Sequence, residues 1–311
     1  MNKKVLVTGS KGFIGYQTCL QLETQGYEVF GVDWANDSTK PGVTVDFSSD
    51  TVRTILKENQ IKTVIHFAAD HEVGRSVEEP SVFYNNNIVS SIRFLDKCIQ
   101  AGVEKFIFSS SSSVYGDNPD FPTSETNKKD PMSPYGRTKD MFEEILKDYD
   151  RAYGIKTLSL RYFNAAGADP LNRHGYEQET YSHLVPILAR CFGKGEPFTV
   201  FGNDYDTPDG TCIRDYTHVY DIAQAHINAM EYEGPERVFN IGKGNGESVL
   251  EVINAFREYT GKDIAVNYGD RREGDPAKTF AKIDLAVNEL LWFPKYTLAD
   301  IVEHAYKWEN R

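Results

Sequence analysis

Residues 3–15 read KKVLVTGSKGFIG, an apolar run that leads into three glycines spaced three residues apart. The apolar run favours a β-strand, and the pattern of Thr18, Leu20 and Leu22 favours a helix after the glycines. A glycine-rich turn between a strand and a helix lets the backbone approach a pyrophosphate, whose charge the helix N-terminus stabilises. Such a turn can also be purely structural. The dinucleotide contacts predicted at the turn are Gly9, Gly12, Phe13, Ile14 and Gly15.

A second predicted strand, residues 28–32, ends at Asp33. This acid lies close to the offset of about 20 residues at which a carboxylate binds the ribose hydroxyls of an adenosine. Its charge would repel the 2′-phosphate of NADP, and no arginine follows it closely. The sequence therefore favours NAD as the cofactor.

Strand and helix patterns alternate through the first half of the chain. Helical spacing covers residues 81–99, and strand character recurs in residues 63–67, 105–108 and 156–161. This alternation predicts an α/β fold built on a Rossmann-type doubly wound parallel sheet, with ligands at the carboxyl ends of the strands.

The domain organisation follows from length and from a change of character near residue 165. We expect residues 1–165 to form the NAD-binding Rossmann domain, with later segments such as 212–240 packing back on it. Residues 166–311 carry long loops rich in Gly, Pro, Asp and Asn, and we expect them to form a smaller, mainly substrate-binding α/β region. The helices predicted here cover 186–190, 220–232, 249–259 and 298–308, and the strands cover 198–201 and 237–240.

Charge and cysteine content exclude several classes of protein. The net charge of −12 argues against a nucleic acid or an anionic membrane as partner, since no surplus of basic residues exists to neutralise phosphates. An anionic substrate would need local arginines, and Arg214, Arg271 and Arg272 lie in loop-like surroundings where they could clamp a diphosphate or form surface salt bridges. The four cysteines lack paired or metal-type spacing, which predicts reduced thiols in a cytoplasmic protein and no metal site. No apolar run is long enough to span a bilayer.

Tyr135 and Lys139 share one face of a predicted helix, because they lie four residues apart. An ammonium beside a phenol favours the ionised phenolate, so the pair predicts a tyrosine with a lowered pKa that acts as a general base. A tyrosine and a lysine at this spacing can also lie on the solvent-exposed face of a helix and have no catalytic role.

Five consecutive serines, 109–113, follow the predicted strand 105–108. They form either a flexible low-complexity loop or a buried loop at the end of a central strand, where their hydroxyls point at a ligand. The second interpretation is favoured because Val114, Tyr115 and Gly116 follow at once.

Together these motifs resemble the extended short-chain dehydrogenase/reductase superfamily. The motifs are the glycine turn, Asp33, Phe67-Ala68-Ala69, Asn87, Ser111, Tyr135-x-x-x-Lys139 and the stretch 161–167, RYFNAAG. Residues 201–216, FGNDYDTPDGTCIRDY, are more specific and resemble the UDP-glucose 4-epimerase family, as do residues 271–275 and the closing helix through Trp308. The resemblance covers nearly the whole chain.

The resemblance implies a reaction and a set of site residues. In such epimerases a tyrosine phenolate removes the O4 proton of a UDP-hexose while tightly held NAD accepts the C4 hydride, and the 4-keto sugar rotates before both are returned. The catalytic residues implied are Ser111, Tyr135 and Lys139. The further cofactor contacts implied are Asp46 and Phe47 at the adenine, and Trp34, Phe67, Ala68, Ala69, His71, Asn87, Ser109, Tyr162 and Phe163. The UDP-sugar contacts implied are Ser111, Ser113, Tyr135, Asn164, His183, Leu184, Thr199, Phe201, Arg214, Arg272, Asp275 and Thr279. A homodimer through the helices near 81–99 and 135–153 is also implied.

Other activities on the same scaffold remain open alternatives. Dehydratases of this type carry an Asp-Glu pair where this chain has Ser112 and Ser113, and serines cannot supply the second acid and base. An ordinary dehydrogenase and a non-catalytic NAD sensor are the remaining alternatives to an epimerase.

Three positions depart from the family pattern. Trp34 lies in a short connection that would reshape the adenine pocket, and His71 replaces a lysine that commonly touches the cofactor. Thr279 lies near a gatekeeping position where residue size restricts the sugar. UDP-glucose and UDP-galactose are the first choice of substrate, and the N-acetylhexosamine pair, a uronate or a pentose stays open.

Overall fold

The computed structural model describes residues 3–117, 120–177, 181–272 and 275–311. Its strands are β1 Lys4–Thr8, β2 Glu28–Asp33, β3 Val43–Thr44, β4 Thr63–His66, β5 Lys105–Ser111, β6 Lys156–Tyr162, β7 Asn164–Ala166, β8 Phe198–Phe201, β9 Ile213–Arg214, β10 Tyr216–His218, β11 Val238–Ile241, β12 Glu247–Ser248, β13 Val266–Gly269 and β14 Lys278–Thr279. Its α-helices are α1 Phe13–Thr24, α2 Asp50–Glu58, α3 Val73–Glu78, α4 Pro80–Tyr84, α5 Ser91–Ala101, α6 Pro134–Tyr153, α7 Leu184–Lys194, α8 Val219–Glu231, α9 Val249–Thr260, α10 Asp284–Glu289 and α11 Leu298–Glu309.

Seven strands form one central parallel sheet in the order β11-β6-β5-β4-β1-β2-β3. The strand order reverses between β1 and β4, because β2 lies on one side of β1 and β4 on the other. In a doubly wound sheet, the crevice beyond the carboxyl ends at such a reversal is where ligands bind. The predicted fold class is confirmed, and the glycine turn directly follows one of the two strands at the reversal.

Strand β5 lies between β4 and β6, and all seven of its residues are buried. It continues through Ser109, Ser110 and Ser111, which pair with Leu160, Arg161 and Tyr162 of β6. The prediction of a five-residue serine loop is therefore wrong for these three residues, since the parallel pairing satisfies their backbone groups. Only Ser112 and Ser113 leave the strand, in a 3₁₀ turn over 112–114.

The helix predicted over 81–99 is present, but the sequence pattern did not indicate the π turn within it. Helices α4 and α5 are joined by a π-helical turn, Asn85–Ser90. Wider turns of this kind redirect side chains and are common at functional sites. Here the π turn carries Asn87, whose side-chain amide donates 3.1 Å to Oγ1 of Thr138 on α6.

Helix α6 carries Tyr135 and Lys139, and local signals determine where it begins and ends. The Ser133 hydroxyl caps its first turn by accepting from the Gly136 amide at 3.1 Å, and Pro134 occupies the first helical position. Gly154 ends the helix in the left-handed conformation at φ +70°. Phe142 and Leu146 pack into the core below β5, so the helix face that bears Tyr135 and Lys139 is turned to the sheet.

Part of the second half returns to the central sheet. Strand β11 extends the sheet beside β6, and α8 packs on α1 with a bond from the Gln21 amide to the Tyr220 carbonyl at 2.9 Å. The remaining strands form three small sheets, and α7, α9 and α11 surround a separate apolar cluster. The division of the chain at residue 165 stays a prediction.

Within the described ranges, no helix is both long and apolar enough to cross a membrane.

Candidate active site

The glycine turn after β1 has a backbone that only glycine fits. Gly9 adopts φ +67°, and a Cβ atom at Gly15 would lie 2.0 Å from the Gly9 carbonyl oxygen. Helix α1 starts at Phe13, so the free N–H groups of its first turn lie at this turn. The shape and the polarity of the turn fit a dinucleotide pyrophosphate.

Asp33, the last residue of β2, is buried beside the glycine turn and is held by two backbone amides. Its carboxylate accepts from the Lys11 N–H and from the Ala35 N–H, both at 2.9 Å. Each carboxylate oxygen keeps capacity for a further bond, as ribose hydroxyls require. The neighbouring Trp34 is 83% exposed, so its indole lies at the protein surface and does not pack into the core.

The loop after β4, residues 67–70, is fixed against the end of β1. Thr8 Oγ1 lies 2.7 Å from His66 Nδ1 and 3.3 Å from the Ala68 nitrogen. Asn87 Oδ1 accepts from the Asp70 N–H at 2.8 Å, and its amide donates to the Asp70 carbonyl at 2.9 Å. The Asn87 amide is engaged in this way, and it therefore holds the loop that carries Phe67, Ala68 and Ala69.

Lys139 and Tyr135 lie together at the end of β5. The Lys139 ammonium donates to the Ser109 carbonyl at 2.8 Å and lies 5.7 Å from the centroid of the Tyr135 ring. It also lies 4.8 Å from the centroid of the Phe108 ring, where a cation–π attraction favours its charge. The structure thus brings the two residues to one place, as their spacing predicts.

The pKa values of this pair differ from the sequence prediction. Burial raises the pKa of Tyr135, and a hydrogen bond with Ser111 acts against that effect. Burial lowers the pKa of Lys139 to about 7, and Glu143 partly offsets that change. The predicted lowering of the Tyr135 pKa is therefore wrong for the chain by itself, because desolvation outweighs the hydrogen bond with Ser111.

The serines around the pair form a short hydrogen-bonded chain. Ser111 Oγ donates to Ser113 Oγ at 3.1 Å and accepts from the Ser113 N–H at 3.2 Å. On the same side of the sheet, the Ser109 hydroxyl contacts the phenol of Tyr162. These hydroxyls give the site several groups that can both donate and accept a proton.

Other predicted cofactor residues lie in different settings. Phe47 is buried in the apolar core, with its ring centroid 5.2 Å from that of His66, so most of its surface is committed to packing. Asp46 is exposed and accepts from the Ser48 N–H at 2.7 Å. Phe163 is half-buried between β6 and β7.

The predicted substrate residues gather around β9 and β14. Arg214 lies on β9, not in a loop as predicted, and its guanidinium binds Asp275 at 2.5 Å. Arg214 is also paired with Thr279 of the neighbouring strand β14. Asn164 donates to the carbonyl of Asp215, the residue after Arg214, at 3.1 Å.

A second group lies on β8 and around it. The Arg272 guanidinium lies 4.4 Å from the ring centroid of Phe201, which is 41% exposed, and the Asp275 N–H donates to the Arg272 carbonyl at 3.2 Å. Thr199 is on the same strand as Phe201. Arg271 instead forms a salt bridge with Asp204 at 2.6 Å, the alternative that the sequence left open for it.

His183 and Leu184 begin α7 close to the glycine turn. The centroid of the Tyr176 ring lies 5.6 Å from that of Phe13 and 5.5 Å from that of His183, so this tyrosine joins the two regions. Burial lowers the pKa of His183 to about 4, and the nearby His71 acts in the same direction. A neutral His183 can donate or accept one hydrogen bond toward a ligand.

Sequence reasoning missed a buried polar network directly beneath the site. Glu143 of α6 binds Arg161 of β6 and the hydroxyl of Ser110, and Arg161 reaches the phenol of Tyr115 at 2.9 Å. The available signal was helical spacing, because Glu143 follows Lys139 by one turn and Tyr135 by two. No group of metal-ligating side chains occurs in the described ranges.

Comparisons with known proteins agree with this arrangement. Residues 5–242 match the model of the NAD dependent epimerase/dehydratase family. The UDP-glucose 4-epimerase of Rhizobium meliloti is 40% identical over 324 residues, covering 100% of this chain and 98% of that protein. The chain belongs to the UDP-glucose 4-epimerase family. The predicted family is therefore confirmed.

The structure of this chain superimposes closely on solved structures of family members. The UDP-glucose 4-epimerase of Brucella ovis in complex with NAD has a TM-score of 0.95 at 36% identity, covering 99% of this chain and 98% of that one. The enzyme of Stenotrophomonas maltophila with bound NAD and formylated UDP-arabinopyranose has a TM-score of 0.93 at 37% identity, covering 98% and 97%. This member of the family thus shares its fold with these two epimerases over nearly all of its length.

The glycine turn generates a prediction for the cofactor site. We expect Gly15→Ala to displace the Gly9 carbonyl, because the added Cβ would lie 2.0 Å from its oxygen. Backbone strain of about 1–3 kcal/mol corresponds to roughly five- to hundredfold weaker NAD binding. The measurement is the NAD released from the purified, denatured protein, with circular dichroism as the test of folding. Gly74→Ala is the control, since nothing lies within 4 Å of the added atom; equal NAD content in both variants would contradict the prediction.

Proposed function

We propose that this chain catalyses the NAD-dependent 4-epimerisation of a UDP-hexose, interconverting UDP-glucose and UDP-galactose. The observation that carries the proposal is the meeting of Tyr135, Lys139 and Ser111 at the carboxyl end of β5, next to the strand reversal with its glycine turn. Family membership supports the same activity.

The proposed NAD site uses the glycine turn for the pyrophosphate and Asp33 for the adenosine ribose. The loop of Phe67, Ala68 and Ala69, held by Asn87, closes the other side of the crevice. Lys139 lies within reach of a second ribose at the inner end. When bound, NAD supplies the hydride acceptor and a positive ring near the phenol.

Tyr135 is the proposed base that takes the proton from O4 of the sugar and returns it. In the chain by itself the pKa of the phenol is raised by burial, so the residue holds its proton near neutrality. A positive charge close to the phenol lowers this pKa, and Lys139 adds to that effect when its amine is protonated. Ser111, bonded to both Tyr135 and Ser113, is placed to relay the proton.

The UDP-sugar is proposed to lie across β8, β9 and β14. Arg214 and Arg272 carry the positive charge that a diphosphate needs in a protein of net charge −12. Phe201, with the Arg272 guanidinium above its ring, offers an exposed aromatic face to the uracil. His183, Leu184, Asn164, Thr199, Asp275 and Thr279 complete the proposed pocket.

Ser112 and Ser113 distinguish epimerisation from the elimination reactions of related enzymes. A dehydratase needs a second acid and base next to the catalytic hydroxyl, and neither serine can supply them. Oxidation at C4 followed by return of the hydride therefore fits this site best. Another UDP-sugar is the second candidate, and it is favoured by the intermediate size of Thr279; the Stenotrophomonas maltophila relative holds a UDP-arabinopyranose derivative.

The proposed base is tested with Tyr135→Phe. We expect the wild-type protein to convert UDP-glucose to UDP-galactose without added NAD, and the variant to lose activity by ~100-fold or more because the proton acceptor is gone. NMR spectroscopy of the sugar products measures turnover, and absorbance of released dinucleotide measures bound NAD. A Tyr135→Phe protein that retains NAD and turns over at the wild-type rate would exclude Tyr135 as the base. A requirement for stoichiometric NAD would favour a dehydrogenase, and no conversion of any UDP-sugar would favour an NAD sensor.

Substrate size is tested at Thr279, which is half-buried on β14. We expect Thr279→Tyr to lower turnover of UDP-N-acetylglucosamine by about tenfold or more, because the ring fills space that an N-acetyl group needs. Turnover of UDP-glucose should be spared. Thr279→Ser is the control, and the measurement is kcat/KM for both sugars. Equal losses on both sugars would show that this position is not a gate.

A homodimer is proposed on the face formed by α3 to α6. Six apolar side chains are exposed on these helices and on the π turn: Val73, Val77, Val82, Val89, Met141 and Tyr153, at 48%, 65%, 39%, 40%, 45% and 60%. Exposed apolar surface of this kind is typical of a protein interface. A cytoplasmic location is proposed as well, since all four cysteines are free thiols.

The dimer is tested by light scattering after gel filtration. We expect a mass of two chains for the wild type and of one chain for Val89→Glu with Met141→Lys, because charges buried at the interface disfavour association. Leu291→Lys, at another exposed apolar residue (76% exposed), is the control. A wild-type monomer would contradict the proposal, and so would a dimer that persists in the double variant.

A further inference from the structure

Ser110 of β5 has no part in the proposed proton transfer. It is fully buried, and its hydroxyl donates to Oε1 of Glu143 at 2.5 Å, on the side of the strand that faces α6. Its neighbours on the strand both belong to the site. The Ser109 carbonyl accepts from Lys139, and the Ser111 hydroxyl is bonded with Tyr135. The bond from Ser110 to Glu143 thus holds in place the strand segment whose two adjacent residues, Ser109 and Ser111, make these contacts.

Glu143 joins three elements through one carboxylate. It is 1% exposed on α6, and the Arg161 guanidinium of β6 binds both of its oxygens, at 2.8 Å and 2.5 Å. Arg161 also donates to the Tyr115 phenol at 2.9 Å, and that phenol donates to Asn240 of β11 at 2.6 Å. Through these bonds, the first two turns of α6 are held in a defined register against β5 and β6.

Stability alone is a weak reason for this arrangement. A buried ion pair loses the hydration of both charges, and well-packed apolar side chains of similar size are often equally or more stabilising. The same contacts do give directional bonds, which fix position better than apolar packing does. What these bonds fix in this chain is the end of β5 relative to α6.

The charge of Glu143 also acts on Lys139. Burial lowers the pKa of the Lys139 ammonium to about 7, and the carboxylate one turn away raises it. The groups that face Lys139 from the other elements are His66 and His71, and burial lowers the pKa of both, so both stay neutral near pH 7. Lys129 lies 3.8 Å from Glu143 and binds Asp140 and Glu144 as well. Glu143 is therefore the anionic group acting on Lys139 among its described neighbours.

We propose that Glu143 is a positioning residue for the reaction: by binding Ser110 and Arg161 it holds the end of β5 against α6, so that Lys139 and Ser111 meet Tyr135 in the geometry of proton transfer. Its carboxylate also lies one helical turn from Lys139, where it favours the ammonium form. The inference rests on the proposed function for its kinetic readout, and a titration of Tyr135 tests it separately.

The geometric part is tested with Ser110→Ala in the NAD-bound protein. We expect kcat to fall by about ten- to hundredfold, as a small displacement of catalytic groups does, with KM and bound NAD nearly unchanged. The melting temperature should fall modestly, because one bond to a buried carboxylate is lost. Ser112→Ala is the matched control, the same change in the 3₁₀ turn next to the strand. A Ser110→Ala protein with the kcat of the Ser112→Ala protein would overturn the geometric part.

The charge part is tested with Glu143→Gln, and Glu144→Gln on the same helix is the matched control. Activity that needs the Lys139 ammonium is lost as pH rises through its pKa. Without the carboxylate that pKa falls, so the alkaline limb of the kcat profile should move to lower pH in Glu143→Gln only. If Glu143→Gln does not fold, Glu143→Asp replaces it, because aspartate keeps the charge at a changed distance. This variant is expected to lower kcat and to leave the alkaline limb of the kcat profile at the wild-type pH.

A spectroscopic titration separates this proposal from the proposed function. The phenolate absorbance of Tyr135, measured as the difference from Tyr135→Phe, should have a higher midpoint in Ser110→Ala and Glu143→Gln than in the wild type, because the ammonium stabilises the phenolate less. If the wild type is inactive but the variants show these shifts, the proposed epimerase activity is refuted and the positioning role of Glu143 is supported. An active wild type whose kcat, pH limb and midpoint are the same in both variants would refute the positioning role.

Discussion

The bond from the Lys139 ammonium to the Ser109 carbonyl is the contact on which the site depends. It joins the helix that carries Tyr135 to the strand that carries the serines, at a distance of 2.8 Å. An ammonium this deeply buried is costly unless it is well bonded, so its position is narrowly determined. The core below supports the same contact: Phe142 of α6 packs against Phe108 of β5, with ring centroids 4.9 Å apart. Strand β5, helix α6 and the Tyr135 side chain are therefore positioned together.

A second constraint operates at the reversal of strand order between β1 and β4. The backbone at Gly9 and Gly15 is so close that a single Cβ would collide with it, and this closeness leaves the first amides of α1 open to a ligand. Asp33 and the Asn87-bound loop flank the opening. The crevice and the group of Tyr135, Lys139 and Ser111 lie at the same edge of the sheet because β4 and β5 are neighbours in parallel register. A ligand in the crevice would thus lie on the side of the sheet edge where these three residues are found.

Electrostatics in this site come from burial first and from neighbouring charges second. Desolvation raises the pKa of Tyr135 and lowers that of Lys139 to about 7, so burial shifts both groups toward their neutral forms. A cation near the phenol and an anion near the ammonium both reverse this tendency. Glu143 is such an anion, and it is itself held by Arg161. Glu143 therefore acts on the pKa of Lys139, one helical turn away.

By itself, the sequence determined the parallel α/β fold, the glycine turn with Asp33, and the pairing of Tyr135 with Lys139, because each depends on local spacing along a strand or helix. Tertiary structure alone decided that Ser109 to Ser111 continue β5, that a π turn interrupts the predicted helix over 81–99, and that the Tyr135 pKa is raised. It alone brought Glu143 to Ser110 and Arg161, residues 33 and 18 positions away. The physical reason is that burial and long-range hydrogen bonds arise from how strands and helices pack, and local spacing carries no information about either.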